Sequence, residues 1–105
     1  MIYQLGVEML EQWLDKDEAI LIDVRELSEY NESNIKTSIL IPLDKLKYDD
    51  IISTNPLNKK VVIHCRSGMR SIKACEALVK EYPDLDVYNL EGGILAWLKY
   101  QASEF

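Results

Sequence analysis

The run Cys65-Arg66-Ser67-Gly68-Met69-Arg70-Ser71 gathers the groups needed for a nucleophilic reaction on an anion. A soft nucleophile is followed within five positions by two fixed positive charges and a glycine. Cysteine reacts as its thiolate, which is favoured where a helix N-terminus and unpaired backbone amides surround it. Gly68 allows the backbone to curl so that successive N–H groups converge on one point, an anion-binding nest. The chemistry described is a sulfur that attacks, or carries, something anionic.

Such a loop works only if a strand delivers the cysteine and a helix starts just after it. The continuous apolar run Val61-Val62-Ile63-His64 leads into Cys65, and the spacing predicts a helix over 70–82, with Ile72, Cys75, Leu78, Val79 and Tyr82 on one stripe. Two further runs, over 19–24 and over 39–41 (closed by Pro42), read as strands buried on both faces. A strand is expected over 86–88 and a short edge strand over 3–5. Helices are expected over 7–16 and 92–100, a less regular one over 43–53, and a single turn over 27–31. In the helix over 92–100, Ile94, Trp97 and Leu98 form the apolar side. Buried strands alternating with helices imply an α/β fold with a parallel sheet covered on both faces. Chemistry in such sheets sits at the carboxyl ends of strands, here 23–26, 42–44 and 65–71.

The chain has 105 residues, 48% hydrophobic and 29% charged, which fits one globular domain over 1–105. No apolar run approaches the roughly 20 residues that span a bilayer. The start, MIYQLGVEML, lacks a basic segment ahead of an apolar one, so a cytoplasmic protein is expected. Twelve Lys and Arg against eighteen Asp and Glu give a net charge of −6. That balance argues against nucleic acid and anionic membrane as partners, and any positive charge offered to an anionic substrate must be local. Two cysteines make no disulfide framework. With His64 the only histidine and no Cys-x-x-Cys pair, no metal or cofactor is implied.

Four segments, in order, resemble the rhodanese family of sulfurtransferases. They are Ile22-Asp23-Val24-Arg25-Glu26 with Glu29-Tyr30, then Ile39 through Leu43, then VVIH followed by CRSGMRS, and last Leu90-Glu91-Gly92-Gly93-Ile94 with Trp97. The resemblance implies a rhodanese-like fold, a five-stranded parallel sheet flanked by helices on both faces. It implies Cys65 as the catalytic nucleophile, taking a sulfane sulfur from thiosulfate or a similar donor, becoming a persulfide and passing the sulfur to a thiophilic acceptor. Arg66, Ser67, Gly68, Met69, Arg70 and Ser71 would form the substrate-binding loop, with the two arginines holding the anionic donor and the departing sulfite. Arg66 directly after the cysteine resembles the thiosulfate type rather than the mercaptopyruvate type, which carries Gly there. Asp23 and Arg25 would buttress the loop from the neighbouring strand end. The partners implied are a small-molecule donor and acceptor, with a protein acceptor also open. One segment departs from the family: Ser33-Asn34-Ile35-Lys36-Thr37-Ser38 stands where Gly-His-Ile-Pro-Gly-Ala is common. Asn34 does not titrate near neutral pH, and the change is read as local packing variation.

Plainer roles are assigned to the other candidates. Cys75, on the apolar stripe of its helix, reads as core rather than as a resolving thiol. His64 precedes Cys65 on a strand and should face the other way, so it is not expected to act as its base. Trp13 and Trp97 read as core, Lys59 and Lys60 as solvated residues at the start of a strand, and Gly92-Gly93 as a backbone requirement. Cysteine phosphatases need an arginine six positions after the cysteine, where Ser71 stands, and those sharing the rhodanese fold use a loop one residue longer. Phosphatase and arsenate-reductase activities are thereby disfavoured, and a persulfide carrier or interaction module without fast turnover is the alternative kept. All of these expectations require an ionised sulfur ringed by inward amides and reachable from water.

Overall fold

Each apolar run becomes a strand because residues of alternate parity are buried on opposite sides. The computed structural model describes residues 1–103. Its strands are β1 (Ile2–Leu5), β2 (Ala19–Asp23), β3 (Ile39–Leu40), β4 (Lys60–His64) and β5 (Val87–Leu90), and they form one sheet in the order β1-β5-β4-β2-β3. All neighbouring pairs are parallel. The helices are α1 (Val7–Asp15), α2 (Leu27–Glu32), α3 (Tyr48–Thr54), α4 (Met69–Glu81) and α5 (Gly93–Ser103). Among the described residues no helix is long and apolar enough to cross a membrane.

Ile22, Val61, Ile63 and Val87 pack on one face, against Ile51 of α3 and Ala74, Cys75 and Leu78 of α4. Leu21, Val62 and Leu90 pack on the other, against Leu10 of α1 and Ile94 of α5. Two covered faces explain why these strands read as continuous apolar runs rather than alternating ones. Fully burying each such aliphatic side chain contributes about 1.5–3 kcal/mol.

Most expected bounds shift by one or two residues, as frayed ends do. Two differences have clear causes. The sequence predicts one helix over 43–53, but the structure has a 3-10 turn (Leu43–Lys45), extended backbone at Leu46 and Lys47, and then α3. The break lets Leu43, Leu46 and Tyr48 all pack on the core, which one continuous helix face would not allow. The last strand runs over Val87–Leu90 rather than 86–88, because β1 pairs with it as far as Leu5↔Leu90.

This strand order fixes the site. β4 lies between β2 and β5, with Asp23 opposite His64 and Ile63 opposite Asn89. The chain leaving β4 at Cys65 is therefore flanked by the carboxyl ends of β2 and β5, and α5 starts beside it.

Candidate active site

The loop after β4 owes its shape to α5. Ile94 N–H donates to the Cys65 carbonyl at 2.9 Å, and Leu95 N–H donates to the Arg66 carbonyl at 3.2 Å. With these carbonyls tied outward, the amides further along the loop turn inward. Gly68 N–H donates to Cys65 Sγ at 3.1 Å, and the Ser71 hydroxyl lies 3.4 Å from the same sulfur. Gly68 reaches this geometry with φ of 109°, a left-handed turn just before α4. Gly93 is required for a different reason. A Cβ there would stand 2.5 Å from the carbonyl oxygens of both Cys65 and Arg66, and its φ is 59°.

Burial pushes the Cys65 thiol up. The Ser71 hydroxyl and the amides of Ser71, Gly68 and Ser67 pull it down, and they prevail, so the thiol lies below its ordinary range. Ser71 is itself buried, and its hydroxyl donates a hydrogen bond to Asn89 Oδ1 on β5, whose Nδ2 donates to Gln4 Oε1 at 3.0 Å. The single hydroxyl proton of Ser71 serves Asn89 while the thiol keeps its own proton, and can turn to the sulfur when Cys65 ionises.

The inward amides match expectation; open access to water does not. Cys65 is only 1% exposed. The curl that aims amides at the sulfur also roofs it, and the residue packs into the same core cluster as Ile63, Ala74 and Cys75. Within the loop, Arg66, Ser67 and Met69 are the exposed residues.

The two arginines differ. Arg66 is exposed and lines a cleft of about 310 Å³ with Arg25, Glu29, Glu32, Ile94 and Leu98. Arg70 is not the free cation the sequence suggests. Its Nη1 and Nη2 donate to the two carboxylate oxygens of Glu29 at 2.6 and 2.9 Å. That guanidinium holds the Glu29 carboxyl down at about 2, against the opposing effect of burial. Ser71, expected among the substrate-binding residues, instead lies beneath the sulfur as its hydrogen-bond partner.

Asp23 and Arg25 form a buried ion pair, with Arg25 Nη2 at 2.8 Å from Asp23 Oδ2. Arg25 also donates to the carbonyls of Ser33, at 2.7 Å, and Glu29, at 3.5 Å. Their buttressing is thus indirect: they hold α2, and α2 presents Glu29 to Arg70. His64 is buried, with Nδ1 3.3 Å from the Cys65 carbonyl oxygen and Nε2 3.6 Å from Asp23 Oδ2. Its ring faces those groups and not the sulfur, and burial holds it below its ordinary range despite Asp23. Cys75 is fully buried, and desolvation pushes it up to about 12. Ile94 is buried, Trp97 and Trp13 are half-buried against the core, and Leu98 is exposed on the rim of the cleft.

The sequence reading omitted two residues of this network. Glu29 lies in the quoted Glu29-Tyr30 segment, which was the available signal. Asn89 had none beyond being a polar residue in a strand. The departing segment packs locally: Asn34 Nδ2 donates to the Tyr30 carbonyl at 3.0 Å, and Ile35 is buried. Among the described residues no group of three His, Cys, Asp or Glu side chains is placed to hold a metal ion.

A parallel α/β sheet whose central strand delivers a cysteine into a ring of amides defines a class of single-cysteine loop domains. The rhodanese-like domain family matches residues 6–100, and the chain belongs to that family. A protein of Allochromatium vinosum named sulfurtransferase is 34% identical over 101 residues, covering 95% of this chain and 92% of that one. A probable adenylyltransferase/sulfurtransferase MoeZ of Mycobacterium tuberculosis is 35% identical over 91 residues, which are 86% of this chain but 23% of that protein. The crystal structure of a rhodanese-like domain protein from Staphylococcus aureus, 30% identical, superposes with a TM-score of 0.73 and covers 90% of each chain. Family and names together support sulfur transfer as the general chemistry.

Proposed function

We propose that the chain is a thiosulfate sulfurtransferase in which Cys65 carries the transferred sulfur as a persulfide. The observation that supports this most directly is the Gly68 N–H aimed at Sγ at 3.1 Å, the donor geometry that stabilises a thiolate. The Cys65 thiolate attacks the outer sulfur of thiosulfate. A sulfur–sulfur bond forms to Cys65, the sulfur–sulfur bond of thiosulfate breaks, and sulfite leaves with its electron pair. The negative charge now rests on the terminal persulfide sulfur, within reach of the loop amides. A nucleophilic acceptor such as cyanide then takes that sulfur and returns the thiolate. Arg66, the exposed cation of the loop, draws in the donor; because Cys65 is 1% exposed, the loop must open at its exposed residues Arg66, Ser67 and Met69 to admit it.

Phosphoryl transfer fits less well. Ser71 occupies the sixth position after the cysteine, buried beneath the sulfur, where a phosphate-gripping guanidinium would be needed. Intact-mass spectrometry after thiosulfate treatment tests the reading. One added sulfur atom is expected on the parent and none on Cys65→Ser, and sulfur gained by the Cys65→Ser protein would overturn the mechanism. Rapid thiocyanate formation from added cyanide marks an enzyme, whereas loading without that turnover marks a carrier and overturns the enzyme reading.

A further inference from the structure

The loop carries two arginines, yet the structure leaves only one of them uncommitted to a carboxylate. Arg70 and Glu29 meet at two points, 2.6 and 2.9 Å, across 41 residues of sequence. Their side chains are 35% and 28% exposed, and pairs so accessible add little to folding stability. What such a pair does change is the charge presented at the mouth of the Cys65 loop.

Glu29 is not a wandering surface side chain. Its Oε1 also accepts the Glu26 N–H at 3.0 Å, closing a capping box at the start of α2. The helix that carries it is clamped from below by the buried Asp23–Arg25 pair, through Arg25 to the carbonyls of Glu29 and Ser33. With its carboxyl held at about 2, Glu29 stays ionised at every physiological pH.

Counting charge around the mouth, Arg70 is matched by Glu29 and Arg25 by Asp23. Arg66 shares its cleft with Glu32. A dianion approaching from solvent therefore meets one uncommitted loop arginine rather than two, in a chain whose total is −6.

We propose that Glu29 is a specificity-determining residue: by occupying Arg70 it competes with oxyanionic donors for that guanidinium, and so favours sulfane-sulfur donors with little negative charge beside the transferable sulfur. The substrate side of this inference rests on the sulfurtransferase reading; the electrostatic side does not. Thiosulfate is accepted under it, but at a disadvantage that an uncharged organic polysulfide does not share.

The test reads charge selection at Cys65 without requiring sulfur transfer. Rates of Cys65 alkylation by iodoacetate, an anion, and by iodoacetamide, a neutral reagent of nearly the same shape, are measured by peptide mass, with Cys75 followed separately. Glu29→Gln keeps the oxygen that caps α2 and removes the charge. It should raise the iodoacetate-to-iodoacetamide rate ratio about fivefold, the scale of one partly screened unit charge a few ångströms away. Asp17→Asn makes the same change in net charge at an ion pair with Lys59, and should leave the ratio unchanged. In an Arg70→Gln background, Glu29→Gln should raise the ratio less than in the parent, because only the direct repulsion by the carboxylate is left once there is no guanidinium to release.

An unchanged ratio in Glu29→Gln, an equal rise in Asp17→Asn, or a rise undiminished without Arg70 would each overturn the proposal. Failure of both reagents to reach Cys65 would do so too, since a mouth closed to a neutral molecule cannot select by charge. With substrate, Glu29→Gln should lower KM for thiosulfate about fivefold with kcat held, and leave KM for an uncharged trisulfide unchanged. Should thiosulfate load no sulfur at all, the sulfurtransferase reading fails while the alkylation ratio still decides the role of Glu29.

Discussion

Cys65 and Cys75 lie ten positions apart, one on the loop that opens α4 and the other on its inward face, and they are 1% and 0% exposed. If burial alone governed their acidity, both thiols would be pushed up. Cys75 is, to about 12, because desolvation outweighs the one opposing contribution, a hydrogen bond with its own backbone. Cys65 moves the opposite way, because the Ser71 hydroxyl and three backbone amides outweigh its own burial penalty. Accessible surface therefore says little about which thiol is reactive; the hydrogen-bond donors around each sulfur say nearly everything.

Four substitutions probe this contrast. The largest effect is expected from Gly93→Ala, which sets a Cβ 2.5 Å from the two carbonyls that hold the loop's orientation. Denaturant unfolding should show a loss of about 3 kcal/mol or more, and the pH midpoint of Cys65 alkylation should rise toward that of an ordinary thiol. Cys75→Ser puts a hydroxyl into the core, and should cost about 1–3 kcal/mol in the same measurement while sulfur loading of Cys65 persists. A parallel loss of loading would make the two cysteines partners rather than opposites.

Ser71→Ala removes the largest of the donors favouring the thiolate. The alkylation midpoint should move up, and the rate at neutral pH should fall several-fold, by about a factor of 3–10. The smallest effect concerns Glu29. Its folded value, about 2, lies below the ordinary 4.5, so its contribution to stability is complete above 4.5 and is lost as pH falls toward 2. Stability measured down that range should decline less steeply in Glu29→Gln than in the parent.

The cysteine loop is plain in the sequence because Cys65 through Ser71 is contiguous, and a strand end running into a helix start is a local pattern. The doubly buried strands β2 and β4 were legible for the same kind of reason: a run of aliphatic residues needs no knowledge of its neighbours. What escaped depends on strand order. Glu29 reaches Arg70, Asn89 reaches Ser71, and Gly93 abuts Cys65 only because β2 and β5 flank β4. The division of 43–53 was hidden likewise, since the extended pair at Leu46 and Lys47 serves packing against α4 and the sheet rather than any local preference.

The hydrogen bonds from Ile94 and Leu95 to the carbonyls of the loop carry a consequence for biosynthesis. A ribosome-bound chain that has emerged only as far as α4 lacks the segment that turns those carbonyls away from the sulfur. The donors to Cys65 at Ser67, Gly68 and Ser71 are already present in that chain, but the α5 contacts that set the loop's orientation are not. The geometry around the sulfur therefore waits on the docking of α5, a segment synthesised after the loop it shapes.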